Sequence, residues 1–370
     1  MATTTALPVR SLDHSLDTAY RALWVAAACD LLAFGVGFSW DRMWHTQHPF
    51  EDFFSPPHLF IYTMHLGATL TLAYVALTPS LRAHFGDAFA LPPLPFPVPG
   101  PIAIAGGGFV VTALAGVFDG TWHTAFGLDE TGWSLPHSML GAGIFVAFVG
   151  IVACRWALRD RRPIGWPSAI VFGFLLIATA GERFTGPIGT NLTRDFIELV
   201  ASIPVLAAEP AFQHTARIYL AYDLDRMNPL FVPLASLSAG AALSLVRHLD
   251  PRPLLMLGLT LVATRTSELV PFLAPGIALA LNGRRRVSTV GWVVAGAAFA
   301  TATALIWKDA PGSALLGAAL FPIGARIGDA IWGMVEHPAR GAVLAFVTLF
   351  GLAYPALTGI VDLALRARTP

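Results

Sequence analysis

The chain has 370 residues, 55% of them hydrophobic and only 12% charged, with a mean hydropathy of +0.64. That composition lies outside the range of soluble globular proteins, and several apolar runs approach the ~20 residues needed to cross a bilayer, so the expected fold is all-α and polytopic in the membrane. The 23 basic and 23 acidic residues cancel, and with no basic face or aromatic-basic interleaving nucleic acid is excluded as a partner, which leaves lipid, metal and small molecules.

The first residues, MATTTALPVRSLDHSLDTAYR, lack an apolar core of signal-peptide type, so the first span is expected to act as its own insertion signal. Spans are predicted at 20–40, 58–77, 102–118 and 135–158, making two helical hairpins in tandem within residues 1–162. The connector LPPLPFPVPGP, 91–101, reads as extended. Cys29 in the first span and Cys154 near the end of the fourth sit at different depths and do not form a disulfide framework. Arg10 and Arg21 precede the first span, Arg82 follows the second, and Arg155, Arg159, Arg161 and Arg162 follow the fourth. By the positive-inside rule those ends are cytoplasmic, and the intervening loops face the external or periplasmic side of the cell (inner) membrane.

Residues 163–370 form a second region of unknown role. A fifth span is predicted at 166–180, followed by a Pro-broken apolar stretch, 196–222, that reads as interfacial or re-entrant. A span at 230–246 comes next, then 253–281 as a hairpin of two short helices or one long tilted helix, then spans at 289–307, 312–333 and 341–363. The total is roughly 10 transmembrane helices.

The polar residues of the two N-terminal hairpins repeat. Asp41, His45 and His58 in the first recur as Asp119, His123 and His137 in the second, with 3 then 12 intervening residues in one case and 3 then 13 in the other. Trp44 and Trp122 each precede the first His, and Pro57 and Pro136 each precede the last. Residues four apart on a helix share a face about 6 Å apart at Cβ, so each Asp and the following His form a two-point clamp. The Pro suits the first turn of the returning helix and sets the third ligand beside it. Two imidazoles and one carboxylate with open positions suit copper, iron or zinc. Interfacial Trp, His and Asp also occur without any metal, but six of the eleven His residues fall within the two motif regions.

These gaps, together with the wording DGTWH at 119–123, resemble the third, all-helical subunit of the copper membrane monooxygenases, the particulate methane and ammonia monooxygenases, over residues 20–158. That family carries D-x3-H-x12-H in its first hairpin and N-x3-H-x13-H in its second, both associated with copper. Here DGTWH stands in the second hairpin, and Asp119 replaces the family's Asn. The resemblance implies a copper-dependent monooxygenase, or its metal-binding subunit, hydroxylating a small apolar substrate with O2. Companion membrane subunits or a homo-oligomer would be its partners. The alternative is a membrane protein that binds or transports copper or zinc without catalysis.

Around the ligands, Glu51, Asp52, Asp129 and Glu130 are candidates to orient the imidazole N–H groups, and His65, one heptad after His58, is a further candidate as extra ligand, proton relay or hydrogen-bonded core residue. Phe53, Phe54, Phe60, Trp44, Trp122 and Trp133 read as an apolar lining or as plain packing. Elsewhere Asp30, Glu182 with Arg183, Arg265 with Glu268, and Arg326 with Asp329 lie in or beside apolar runs, where pairing is expected. Glu198, Glu209 and His214 fall on the motif side.

Overall fold

The computed structural model describes residues 9–48, 53–126, 134–185, 202–208, 213, 231–249, 287–307 and 311–366. The first helix, α1 (Val9–Leu32), passes through a π-helical turn, Ala33–Gly37, directly into α2 (Phe38–Gln47). The chain returns as α3 (Pro56–Leu77) and continues through a short α4 (Pro79–Arg82) to the connector, whose ends pair as β1 (Ala88–Phe89) and antiparallel β2 (Val98–Pro99). A second hairpin follows, α5 (Gly100–Phe126) and α6 (Leu135–Ala157). Then come α7 (Trp166–Thr185), the single turn α8 (Pro204–Ala207), α9 (Phe231–Leu249), α10 (Thr289–Trp307) and α11 (Pro311–Glu336). The last helix is α12 (Arg340–Thr348), interrupted by a π turn, Leu349–Ala353, before α13 (Tyr354–Arg366).

Seven of the described helices are long and apolar enough to cross a membrane, and two shorter apolar segments lie at Trp166–Leu176 and Thr289–Leu305. The chain is an all-α, multi-pass membrane protein. The predicted spans at 253–281 lie outside the described residues, as does 196–222 apart from 202–208 and 213.

Both returning helices of the tandem hairpins start in the same way. Ser55 and Ser134 take extended backbone angles just before the helix, Pro follows within the first two positions, and the Ser carbonyls accept the N–H of Leu59 and Ser138. At the opposite end of the hairpins the chain is tied together by polar contacts. His84 bonds the Ser15 hydroxyl of α1 and the Arg161 guanidinium beyond α6, each at 2.8 Å, while Arg162 pairs with Asp17. The guanidinium of Arg155, buried, donates to Ser168 and to the Pro163 carbonyl and stands over the Tyr20 ring. Arg155, Arg161 and Arg162, among the arginines read as cytoplasmic markers, thus gather at the end of the hairpins opposite Asp41 and Asp119.

One apolar core runs through both halves of the chain. Helix α6 is its axis, with 78% of its span buried against 17% for α3. It meets α5 through Gly108, Gly143 and Gly150, where an added Cβ would collide with backbone or side-chain atoms of the facing helix. Phe145 of α6 also packs against Phe346 and Phe350 near the C-terminus. Helices α9 and α11 approach at Gly240, Gly324 and Gly328, where a Cβ would fall on the carbonyl oxygens of Phe321, Leu237 and Ala241.

Candidate metal centre

The outgoing helices extend past their apolar stretches, and this extension carries the acidic residues. Asp41 lies in the first turn of α2, just beyond the π turn, and Asp119 lies late in α5. Gly37 brings α2 onto α3: a Cβ there would stand 2.5 Å from Ile61 Cγ1, three residues after His58. This close approach seats the first half-site. Asp41 Oδ1 lies 3.1 Å from His58 Nε2, and both side chains are mostly buried.

The second half-site is built differently. His137 presents Nδ1 rather than Nε2 to Asp119, at 3.8 Å, and the same nitrogen lies 3.3 Å from the Ser134 hydroxyl. The repeat in the sequence thus becomes two Asp–His meetings of unequal distance and opposite ring edge.

His45 and His123 are helical and one turn beyond their aspartates, as the spacing requires, but their side chains lie outside the described residues. Glu51, Asp52, Asp129, Glu130 and Trp133 also lie outside them, as do Glu198, Glu209, His214, the Arg265–Glu268 pair and the side chains of Glu182 and Arg183. Among the described residues, no three His, Cys, Asp or Glu side chains come together as a metal-holding group.

The aromatic surroundings contain one residue that the sequence reading passed over. Tyr62 stacks on His58 with centroids 5.8 Å apart and also meets Phe53, which in turn packs edge-on against Phe54. Its signal was present, four residues after His58 on the same helix face. Ser134, three residues before His137, went unread in the same way. Phe60 packs on Trp40, Trp122 is buried against Phe118, and exposed His48 stacks on Trp44.

His65 is not beside the Asp41–His58 meeting. It lies two turns deeper, where its Nδ1 is 2.8 Å from Oδ1 of the fully buried Asp30. In α11, Arg326 reaches Asp329 at 4.0 Å, but the closer partners of Asp329 come from α9: the Ser244 hydroxyl, and His248 Nε2 at 3.3 Å. These inter-helix partners were invisible at sequence separations of 35, 81 and 85 residues.

The donor set suits a borderline metal ion. With metal–ligand bonds of about 2.0–2.2 Å, two donors at right or tetrahedral angles stand about 2.8–3.6 Å apart. The 3.1 Å between Asp41 and His58 falls in that interval, whereas the 3.8 Å at Asp119 and His137 lies just above it. No known family, characterised protein or solved structure matches the chain.

Proposed function

We propose that the chain is a copper-dependent membrane monooxygenase, or the metal-binding subunit of one, hydroxylating a small apolar substrate with O2. The observation that carries this reading is the meeting of Asp41 with His58 from two different helices, at a motif whose spacing recurs at Asp119 and His137. Asp41, His45 and His58 would hold one copper ion, and Asp119, His123 and His137 a second; by ligand type iron and zinc are the competing ions. When bound, copper supplies the redox chemistry that activates dioxygen for insertion into a C–H or N–H bond.

The chain's own residues prepare the place. Each aspartate offsets the charge of the ion. Tyr62 holds the His58 ring by stacking, and Ser134 meets His137 at Nδ1, the nitrogen that faces Asp119 and that copper would take from the hydroxyl. Phe53 and Phe54 give the first site an apolar flank toward which a small hydrocarbon-like substrate would partition. The basic cluster at the far end supports an external or periplasmic position for both sites. Companion membrane subunits or further copies of the chain are the expected partners.

Metal analysis and electron paramagnetic resonance of the purified protein test this reading. One Cu(II) per motif is expected, lost site by site in His45→Ala and His123→Ala, together with oxygen consumption that depends on an apolar substrate and on an added two-electron donor. Copper retention without oxygen consumption, but with copper or zinc uptake into proteoliposomes, would establish the transport alternative instead. A metal-free, intact protein from copper-replete membranes overturns both.

A further inference from the structure

We propose that Asp30 and His65 form a proton-loading site inside the bilayer, a dyad that holds one exchangeable proton at a depth that bulk water does not reach. Asp30 is 1% exposed in the first span, and its Oδ1 is hydrogen-bonded at 2.8 Å to Nδ1 of His65 in the second. The other polar atoms of the pair, Asp30 Oδ2 and His65 Nε2, are both buried and have no hydrogen-bond partner among the described residues. A purely structural polar pair in a dry core satisfies its remaining atoms; here one acceptor and one ring nitrogen remain available to a proton.

The surroundings fix the charge of the dyad. Phe109 of α5 stands edge-on to the His65 ring at 4.9 Å. Along the same span, Phe148 of α6 packs on Phe34 of the π turn and Phe172 of α7 on Trp24 of α1. Among the described residues, the titratable neighbour is Cys29, beside Asp30, whose sulfur faces Gly67 of α3. With one proton between carboxyl and imidazole the dyad is neutral. With none it is a bare anion in a low-dielectric interior, and with two a bare cation, both costly. It therefore keeps one proton until another positive charge arrives. The proton then leaves from His65 Nε2, leaving a neutral ring still donating through Nδ1 to a carboxylate. His58 lies seven residues, or about 10 Å, along the same helix, but the dyad does not depend on what the motif binds.

The test uses metal-free, full-length protein in nanodiscs, with 15N-histidine NMR and infrared spectra in H2O and D2O. One imidazole, absent from His65→Gln, should keep its Nδ1 hydrogen bond and a single protonation state from about pH 5 to 8. Its partner carboxyl, absent from Asp30→Asn, should show a deuterium-sensitive signal of one proton per chain. Should Asp30→Asn fail to fold, the wild-type isotope shift and His65→Gln decide. A His65 that titrates like a solvated ring, or a dyad that carries no proton at neutral pH, overturns the proposal.

Discussion

At position 84 a histidine is held by two hydrogen bonds that decide its protonation state. A guanidinium can only donate, so His84 Nδ1, bonded to Arg161, must be the acceptor, and Nε2–H donates to Ser15. A second ring proton would point at the arginine. Burial, reinforced by the Arg161 charge, accordingly holds the His84 imidazole below its ordinary range. Because the folded value is depressed, the contribution of His84 is fully present above the unfolded value of about 6.5 and is lost as the pH falls below it through the folded value. Wild-type protein in detergent should melt at a lower temperature at about pH 5.5 than at about pH 7.5. His84→Asn should melt lower at the higher pH and show a smaller difference between the two. An undiminished difference would place the acid sensitivity elsewhere.

Among the elements, the tightest contact is between α9 and α11. A Cβ at Gly324 would fall on the Leu237 carbonyl, so Gly324→Ala forces the two backbones apart. The expected cost is at least the overpacking range of about 1–3 kcal/mol. It would be read as a lowered melting temperature or loss of monodisperse protein. Gly333→Ala, nine residues on in the same helix with open space around it, should differ little from wild type. Among the described residues, seven of the spans were legible from hydropathy, because apolar runs of bilayer length leave little choice of structure. Their ends were not. The first and third predicted spans stop at 40 and 118, where the apolar residues stop, yet the helices run on to Gln47 and Phe126 because backbone hydrogen bonding continues through polar sequence. The π turns at Ala33–Gly37 and Leu349–Ala353 left no such trace, since the residues that form them, AFGVG and LFGLA, read as ordinary apolar helix.

For the whole molecule, the two halves share one core, and α6 depends on residues beyond 162 for its burial. Trp156 packs on Trp332, Phe145 on Phe346 and Phe350, and Leu135, two residues before His137, lies against Gly359. A fragment of residues 1–162, although it contains both motifs, should therefore elute as aggregate in size-exclusion chromatography where the full chain is monodisperse. A monodisperse fragment would show that the tandem hairpins fold alone. The candidate site was legible as far as spacing carries, since Asp41 and His58, and Asp119 and His137, do meet across their hairpins. Which ring nitrogen faces the aspartate was not, because that depends on side-chain rotation at the helix start and on Ser134. The ties at the cytoplasmic-marker end also set an order in time. His84 needs both Ser15 and Arg161, and Asp17 needs Arg162, so during synthesis this knot cannot close until α6 and the residues just after it have left the ribosome. The two hairpins that carry the paired motifs are locked together in one late event.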